Sequence, residues 1–177
     1  MMTCRIQIED GEVLDSFEGW GLIFIDSDTR TAPPEKGRAR TSYIGEPGEH
    51  EDPRTVDDAF DYWVDFAIST PNSDLQNANA KIAAFNEAIR ERLEGETDPD
   101  DPESSVRLTE NVKRCRTLTL YNDRMRVRVT GTPELIAEPK DFYRRQDKSR
   151  MDCVEIRLNI RVTDPRLCDW NLKDGKG

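Results

Sequence analysis

The sequence predicts an α+β fold that is mainly β, an antiparallel arrangement of strands packed by one amphipathic helix. Three observations carry this. Most apolar residues recur with a period of two, as on a strand with one buried face. A single segment, 75 to 93, instead repeats its apolar residues at helical spacing. Turn pairs such as Asp10-Gly11, Asn122-Asp123 and Asp164-Pro165 punctuate the periodic segments.

The elements follow in order. Cys4, Ile6 and Ile8 alternate with Arg5, Gln7 and Glu9, a half-buried strand ended by Asp10-Gly11, and Val13 and Leu14 begin its return partner. Trp20 to Ile25, reading WGLIFI, is short and β-branched and predicts a buried strand. Arg38 to Ile44 is the one strand-like stretch in a breaker-rich region from 27 to 58. Phe60, Tyr62, Val64, Phe66 and Ile68 form one face of an aromatic strand, with Asp61, Trp63, Asp65 and Ala67 on the other, and Pro71 ends it.

Leu75, Ala78, Ile82, Phe85, Ile89 and Leu93 make one apolar stripe of a helix. Ser73 or Asp74 suits its N-terminus and Gly95 its C-terminus, and Lys81, Glu87, Arg90, Glu91 and Arg92 fall on the polar face. Such a helix needs a flat partner, which the sheet supplies. A hairpin follows: Leu118 and Leu120, the turn pair Asn122-Asp123, then Met125, Val127 and Val129 alternating with Arg124, Arg126 and Arg128. Gly131 and Pro133 interrupt it, and Leu135 to Ala137 extends a further strand. Val154 to Val162 is the longest clean alternation in the chain, closed by Asp164-Pro165.

The total is roughly seven strands and one helix, with no solenoid repeat and no boundary dividing two cores. The chain therefore reads as a single domain over 1–177, with its core at about 3–165 and a polar tail at 173–177. Two acidic loops interrupt it. Residues 46 to 58 hold six acidic side chains against Arg54, and residues 94 to 103 hold six with no basic residue and two prolines. Both compositions favour solvated loops. The first lacks the alternating ligands, central glycine and closing glutamate of a calcium-binding hand.

Composition narrows the function. Among 177 residues, 36 are acidic and 26 basic, a net charge of -10. That argues against nucleic-acid binding through a generally basic surface. No apolar run is long enough for a membrane helix, and the N-terminus has no signal-peptide core. Cys4, Cys115, Cys153 and Cys168 have no metal-ligand spacing and read as reduced cysteines of a cytosolic product. The single histidine, His50, lies in a loop composition, which leaves no multi-histidine site and little room for a serine triad.

Other catalytic patterns are equally thin. Gly19-Trp20-Gly21 lacks the third glycine of a phosphate loop. Asp61 and Asp65, four apart on a strand, stand about 13 Å apart. A paired-carboxylate hydrolase needs roughly 5–10 Å, so both read as solvent-facing. Asp57 and Asp58 join a metal site only if their loop folds back. No enzyme, no cofactor and no metal site are expected.

The arginines are more informative. Seven basic residues lie between Arg107 and Arg128 against Glu110 and Asp123. Arg124, Arg126 and Arg128 share one face, and Arg157 and Arg161 share another. The alternatives are a solvated face whose charges discourage stray strand pairing, or a surface that meets the acidic loops of a neighbouring copy. A nucleic-acid face lacks the stacking aromatics such binding uses.

The element order is strand, strand, a loop with Ile44-Gly45-Glu46-Pro47-Gly48, aromatic strand, helix, hairpin and long final strand. This order over about 15–165 resembles the N-terminal domain of the distal tail proteins of tailed bacteriophages and prophages, and related tail-tube-like ring proteins. The resemblance rests on pattern, since the family has no fixed catalytic signature. It implies a split β-barrel with a helix at its open side. It also implies a hexameric ring of identical copies joining the tail tube to the baseplate or receptor-binding parts. The carbohydrate-binding-like second domain of many such proteins is not contained in this chain, and the acidic stretch after the helix is longer than the family pattern.

The expectation is therefore a virion structural protein, made in the bacterial cytoplasm and placed in the tail, whose partners are itself and other tail or baseplate proteins. Neither membrane nor nucleic acid is an expected partner. Interface contacts are expected at Arg124, Arg126 and Arg128 and around Gly45, Pro47, Gly48 and Glu51. The alternative is a non-catalytic binding module in which Trp63, Phe142 and Tyr143 grip a peptide or glycan.

Overall fold

The structure is a computed structural model that describes residues 4–37, 40–41, 50–51, 57–70, 75–92, 113–137, 139, 141–143 and 152–173. Two long strands, β6 (Phe60–Thr70) and β12 (Asp152–Val162), form its spine. They pair antiparallel along their whole length, from Phe60 opposite Val162 to Thr70 opposite Asp152. Their inner rows are Phe60, Tyr62, Val64, Phe66 and Ile68, and Val154, Ile156, Leu158, Ile160 and Val162, all buried. The period-two pattern has one cause: a pleated strand points alternate side chains to one side, and only that side is apolar.

The other strands extend this ribbon. β1 (Cys4–Ile8), β2 (Leu14–Asp15), β3 (Ile23–Ser27), β9 (Leu118–Asn122) and β10 (Val127–Pro133) join β6 and β12 in the order β2-β1-β9-β10-β12-β6-β3. β11 (Asp141–Tyr143) also pairs with β12, opposite Cys153–Glu155. β10 changes partner along its length. Val127–Gly131 pair with β9, while Thr132 and Pro133 pair with Arg161 and Ile160 of β12. The bend falls at Gly131, where a Cβ would come 2.8 Å from Ile160 Cγ2 and still closer to the Arg161 carbonyl oxygen.

The sheet curls far enough to meet itself. β9 and β3 are separated in strand order by β10, β12 and β6. Yet the buried Asn122 amide on β9 donates to Ser27 Oγ on β3 at 2.7 Å and to the Tyr62 hydroxyl on β6 at 3.0 Å. Among the described residues no ladder joins β3 to β1 or β2, so the shell is open at that seam. Helix α1 (Ser16–Trp20) links the strands on its two sides. Asp15 caps it, accepting from the Phe17 and Glu18 amides, and Gly21 ends it at φ 68°, a left-handed conformation glycine adopts at little cost.

Helix α2 (Leu75–Ala88) packs Ala78, Ile82 and Phe85 into the core, and Ile89 follows them. Phe85 meets the Trp20 ring edge-on, centroids 5.4 Å apart. Asn86 fastens the helix to the segment after β10. Its amide donates to the Ile136 carbonyl at 2.9 Å, and its oxygen accepts from the Ile136 amide at 3.0 Å. The result is the expected mainly-β α+β fold.

Two small ribbons stand beside this sheet: β4 (Arg40–Thr41) with β5 (His50–Glu51), and β7 (Arg90–Arg92) with β8 (Lys113–Cys115). They correct two expectations. The helix does not reach residue 93, because Arg90–Arg92 leave it to pair with Lys113–Cys115, so Arg90, Glu91 and Arg92 are strand residues and not a helical face. The first acidic loop contains strand β5, whose Glu51 sits opposite Arg40. Ser73, Asp74, Leu93, Gly95 and the stretch 94–103 lie outside the described residues.

Three more expectations change. Trp20–Ile25 is not one buried strand, since Trp20 closes α1 and the strand starts at Ile23. Its Ile23 and Ile25 face outward, flanking Phe24, which points inward against Phe66. The β9–β10 turn takes four residues, Asp123–Arg126, since Asn122 pairs directly with Val127. Leu135–Ala137 form no strand, and Gly131 and Pro133 lie inside β10.

Candidate assembly surface

The arginines expected to share one face are divided by the hairpin geometry. Arg124 and Arg126 lie in the turn, and Arg126 adopts a left-handed φ of 56°. Arg124 Nη1 donates to Asp26 Oδ1 of β3 at 3.2 Å, across the seam of the shell. Arg128 lies on β10, half-buried, and exchanges two backbone hydrogen bonds of 2.8 Å with Asp169. Glu51 belongs to the β4–β5 ribbon, while Gly45, Pro47 and Gly48 lie outside the described residues.

The outer face of β6–β12 is a ladder of cross-strand ion pairs. Arg161 bonds Asp61 at 3.1 Å, and Arg157 bonds both oxygens of Asp65 at 2.7 and 2.8 Å. The Arg157 guanidinium also lies 4.2 Å from the Trp63 ring centroid. Asp65 is consequently buried and not solvent-facing, with only 3% of its surface accessible. Its hydrogen bonds hold the Arg157 guanidinium above its ordinary pKa. Elsewhere Arg5 pairs with Asp123 at 3.0 Å, and Arg114 pairs with Glu91 and Glu9. Hydrogen bonding to Arg114 holds the Glu91 carboxyl below the ordinary carboxylate range. Alternation along one strand revealed the faces; the partners depended on register, which the sequence pattern did not reveal.

Exposed apolar side chains occur on α1, on β3 and in the segment before β2. Phe17 on α1 is 59% exposed, Ile23 and Ile25 on β3 are each 41% exposed, and Val13 before β2 is 37% exposed. Ile25 occupies a bulge, since Phe24 pairs with Phe66 and the next pair is Asp26 with Asp65. Phe24 points inward and meets Phe66 edge-on, so the bulge keeps one aromatic in the core while adding outward apolar surface. Single exposed hydrophobics need no explanation, but Ile23 and Ile25 lie on a strand whose outer edge joins no ladder among the described residues, where added apolar surface invites contact.

Burial raises the pKa of three groups, Cys4, Tyr62 and Cys168. Burial pushes the Tyr62 phenol above its ordinary pKa, against the hydrogen bonds from Asn122 and Ser27 that lower it. Burial raises the Cys4 thiol strongly and the Cys168 thiol less so, and no cysteine is in a disulfide. Among the described residues, no group of His, Cys, Asp and Glu is arranged to hold a metal, and no helix is long and apolar enough to cross a membrane.

The aromatics of the alternative binding module lie on different strands. Trp63 sits opposite Asn159 and Phe142 opposite Val154, which places them five residues apart along β12. That separation is roughly 17 Å at the usual rise. No protein-family model matches the chain, and no curated protein matches it.

Proposed function

We propose that this protein is a non-catalytic structural subunit of a phage or prophage tail. In this reading it is distal-tail-like, and identical copies form a ring, a hexamer, between the tail tube and the baseplate or receptor-binding parts. One observation carries the reading. The terminal strand β3 and its neighbour α1 present Phe17, Ile23 and Ile25 to solvent at the open seam of a curled antiparallel shell. A subunit whose sheet ends in a strand with exposed apolar side chains and one open edge gains stability by covering it. The order of elements, with the helix seated against the sheet, agrees with the distal-tail resemblance.

Light scattering on the purified full chain tests the reading. A discrete oligomer, persisting as the protein is diluted into the micromolar range, is the expected outcome. A strictly monomeric species at high concentration, at both low and high salt, overturns it.

A further inference from the structure

The ring reading names copies as partners but not the element that joins them. We infer that copies are linked by strand exchange: the segment 168–172, which lies along β10 of its own chain, is a detachable strap that also seats on β10 of the next copy. The inference rests on the proposed self-assembly and assigns the element that performs it.

The pairing register shows how the strap arises. β10 pairs with β9 over Val127–Gly131 but with β12 only at Thr132 and Pro133, so the other edge of its first half is left without β12. Asp169 takes that edge. Arg128 and Asp169 exchange two backbone hydrogen bonds of 2.8 Å, and the Leu172 amide donates to the Arg126 carbonyl at 2.8 Å. From Thr132 back to Arg128 β10 travels four residues, while its partner travels eight, from Arg161 to Asp169. The strap is thus a continuation of β12 with four residues looped out, an even number that keeps Asp169 on the face of Arg161. Cys168 and Trp170 pack against the core, and the Trp170 ring lies 5.7 Å from that of Phe60.

The looped-out residues form a hinge with two accessible states. They contain the 3-10 turn Pro165–Leu167. Asp164 before it and Cys168 after it are already extended, at φ −121°, ψ 94° and φ −92°, ψ 150°. The fixed φ of a proline suits an extended chain as well as a turn, and the ring favours an extended residue before it. Opening therefore changes the turn residues alone. Among the described residues, the hydrogen bonds that hold the turn are local. The Asp164 carboxylate accepts from the Arg166 amide at 3.1 Å and from its guanidinium twice at 2.8 Å. The Leu167 and Cys168 amides donate to the Asp164 and Pro165 carbonyls at 3.1 Å each.

Straightened, four residues add about 13 Å to the reach of the strap. A strap passed to another copy makes the same backbone bonds and the same Trp170–Phe60 contact there, so exchange is a low-cost route to association. Opened hinges of adjoining copies also cover Leu167, which is 51% exposed in the closed turn. Each strap handed to the next copy is a heterologous contact, the type that closes into a ring.

Disulfide trapping tests the exchange on the full chain. Arg128→Cys and Asp169→Cys are introduced together, with Cys115→Ser and Cys168→Ser to remove competing thiols. Directly opposed, hydrogen-bonded residues of an antiparallel pair stand about 5.5 Å apart at Cα, within disulfide reach. After oxidation at a concentration where the chain is assembled, a non-reducing denaturing gel is expected to show covalent dimers and larger multiples that collapse to one chain on reduction. Disulfides closed only within single chains overturn the inference and leave the ring reading standing. Thiols that stay free overturn it too, since the strap is then not seated on β10. A second variant removes the hinge. Deleting residues 164–167 lets β12 run straight into the strap, in register along β10. That chain is expected to stay folded by circular dichroism and to lose self-association by at least about tenfold in Kd, measured by sedimentation. Self-association equal to that of the unmodified chain overturns the inference. If the unmodified chain is monomeric at every concentration, both readings fall.

Discussion

Arg157 grips both carboxylate oxygens of Asp65, at 2.7 and 2.8 Å, while lying over the indole of Trp63. The carboxylate side chain is 4% exposed and the guanidinium 38%. Removing the cation strands a charge that water can scarcely reach. Arg157→Met is expected to cost roughly 2 kcal/mol, less than a fully buried pair because Arg157 is partly hydrated. Asp65→Asn in the same background should recover much of that loss. Urea denaturation of the two single variants and the double variant measures the coupling; independent, additive effects would show that the pair contributes nothing.

Asn122 ties β9 to β3 and β6 across the curled sheet. Its amide reaches Ser27 and Tyr62, and its oxygen accepts the Met125 amide at 3.1 Å in the turn. Asn122→Leu fits the volume but leaves those groups without their partner, at an expected cost of about 2–3 kcal/mol. Hydrogen exchange should then show β3 and the β9–β10 turn opening before β6 and β12. Uniform destabilisation of all four elements would contradict the latch.

Gly131→Ala is expected to be among the most damaging single-methyl additions. The new carbon meets the backbone of β12, with the Arg161 carbonyl carbon 2.9 Å away, and backbone cannot swing aside as a side chain can. A loss of about 2–3 kcal/mol is expected by thermal or chemical denaturation. Gly37→Ala, where nothing lies within 4 Å, is the control and should be near neutral.

Alkaline pH should unfold the protein through its interior. Burial pushes the Cys4 thiol up from its ordinary value of 9.0 and the Tyr62 phenol up from 10.0. The folded chain keeps these protons where the unfolded chain has begun to release them. The stabilisation is therefore complete below pH 9 and is lost as pH rises past 9 and then 10, each fully coupled group contributing about 1.4 kcal/mol per pH unit. Cys4→Ala should make the stability profile between pH 8.5 and 10 shallower. An unchanged profile would mean that Cys4 does not titrate with unfolding.

How far the sequence foretells this architecture depends on whether a pattern is local. β6, β12 and the inner rows of β9 and β10 follow from alternation alone, because one buried face imposes a period of two. The stripe Ala78, Ile82 and Phe85 is legible for the same kind of reason at a helical period. Trp20–Ile25 misleads, since an apolar run does not reveal that Gly21 breaks the chain or that β3 ends the sheet with Ile23 and Ile25 turned outward. Arg90–Arg92 mislead because helical spacing continues through them while a strand far along the chain, Lys113–Cys115, captures them. The candidate surface was legible only in part. Arg124 does lie at the open seam, but its carboxylate partner Asp26 is fixed by curvature of the whole sheet.

The segment joining Arg92 to Lys113 begins and ends at one stem, β7 paired with β8. Its two ends are held together already, so lengthening it adds little closure entropy, about 0.6 kcal/mol for each doubling. Natural or engineered chains can therefore accept epitopes, tags or whole recognition peptides at this point while the shell beneath keeps its stability.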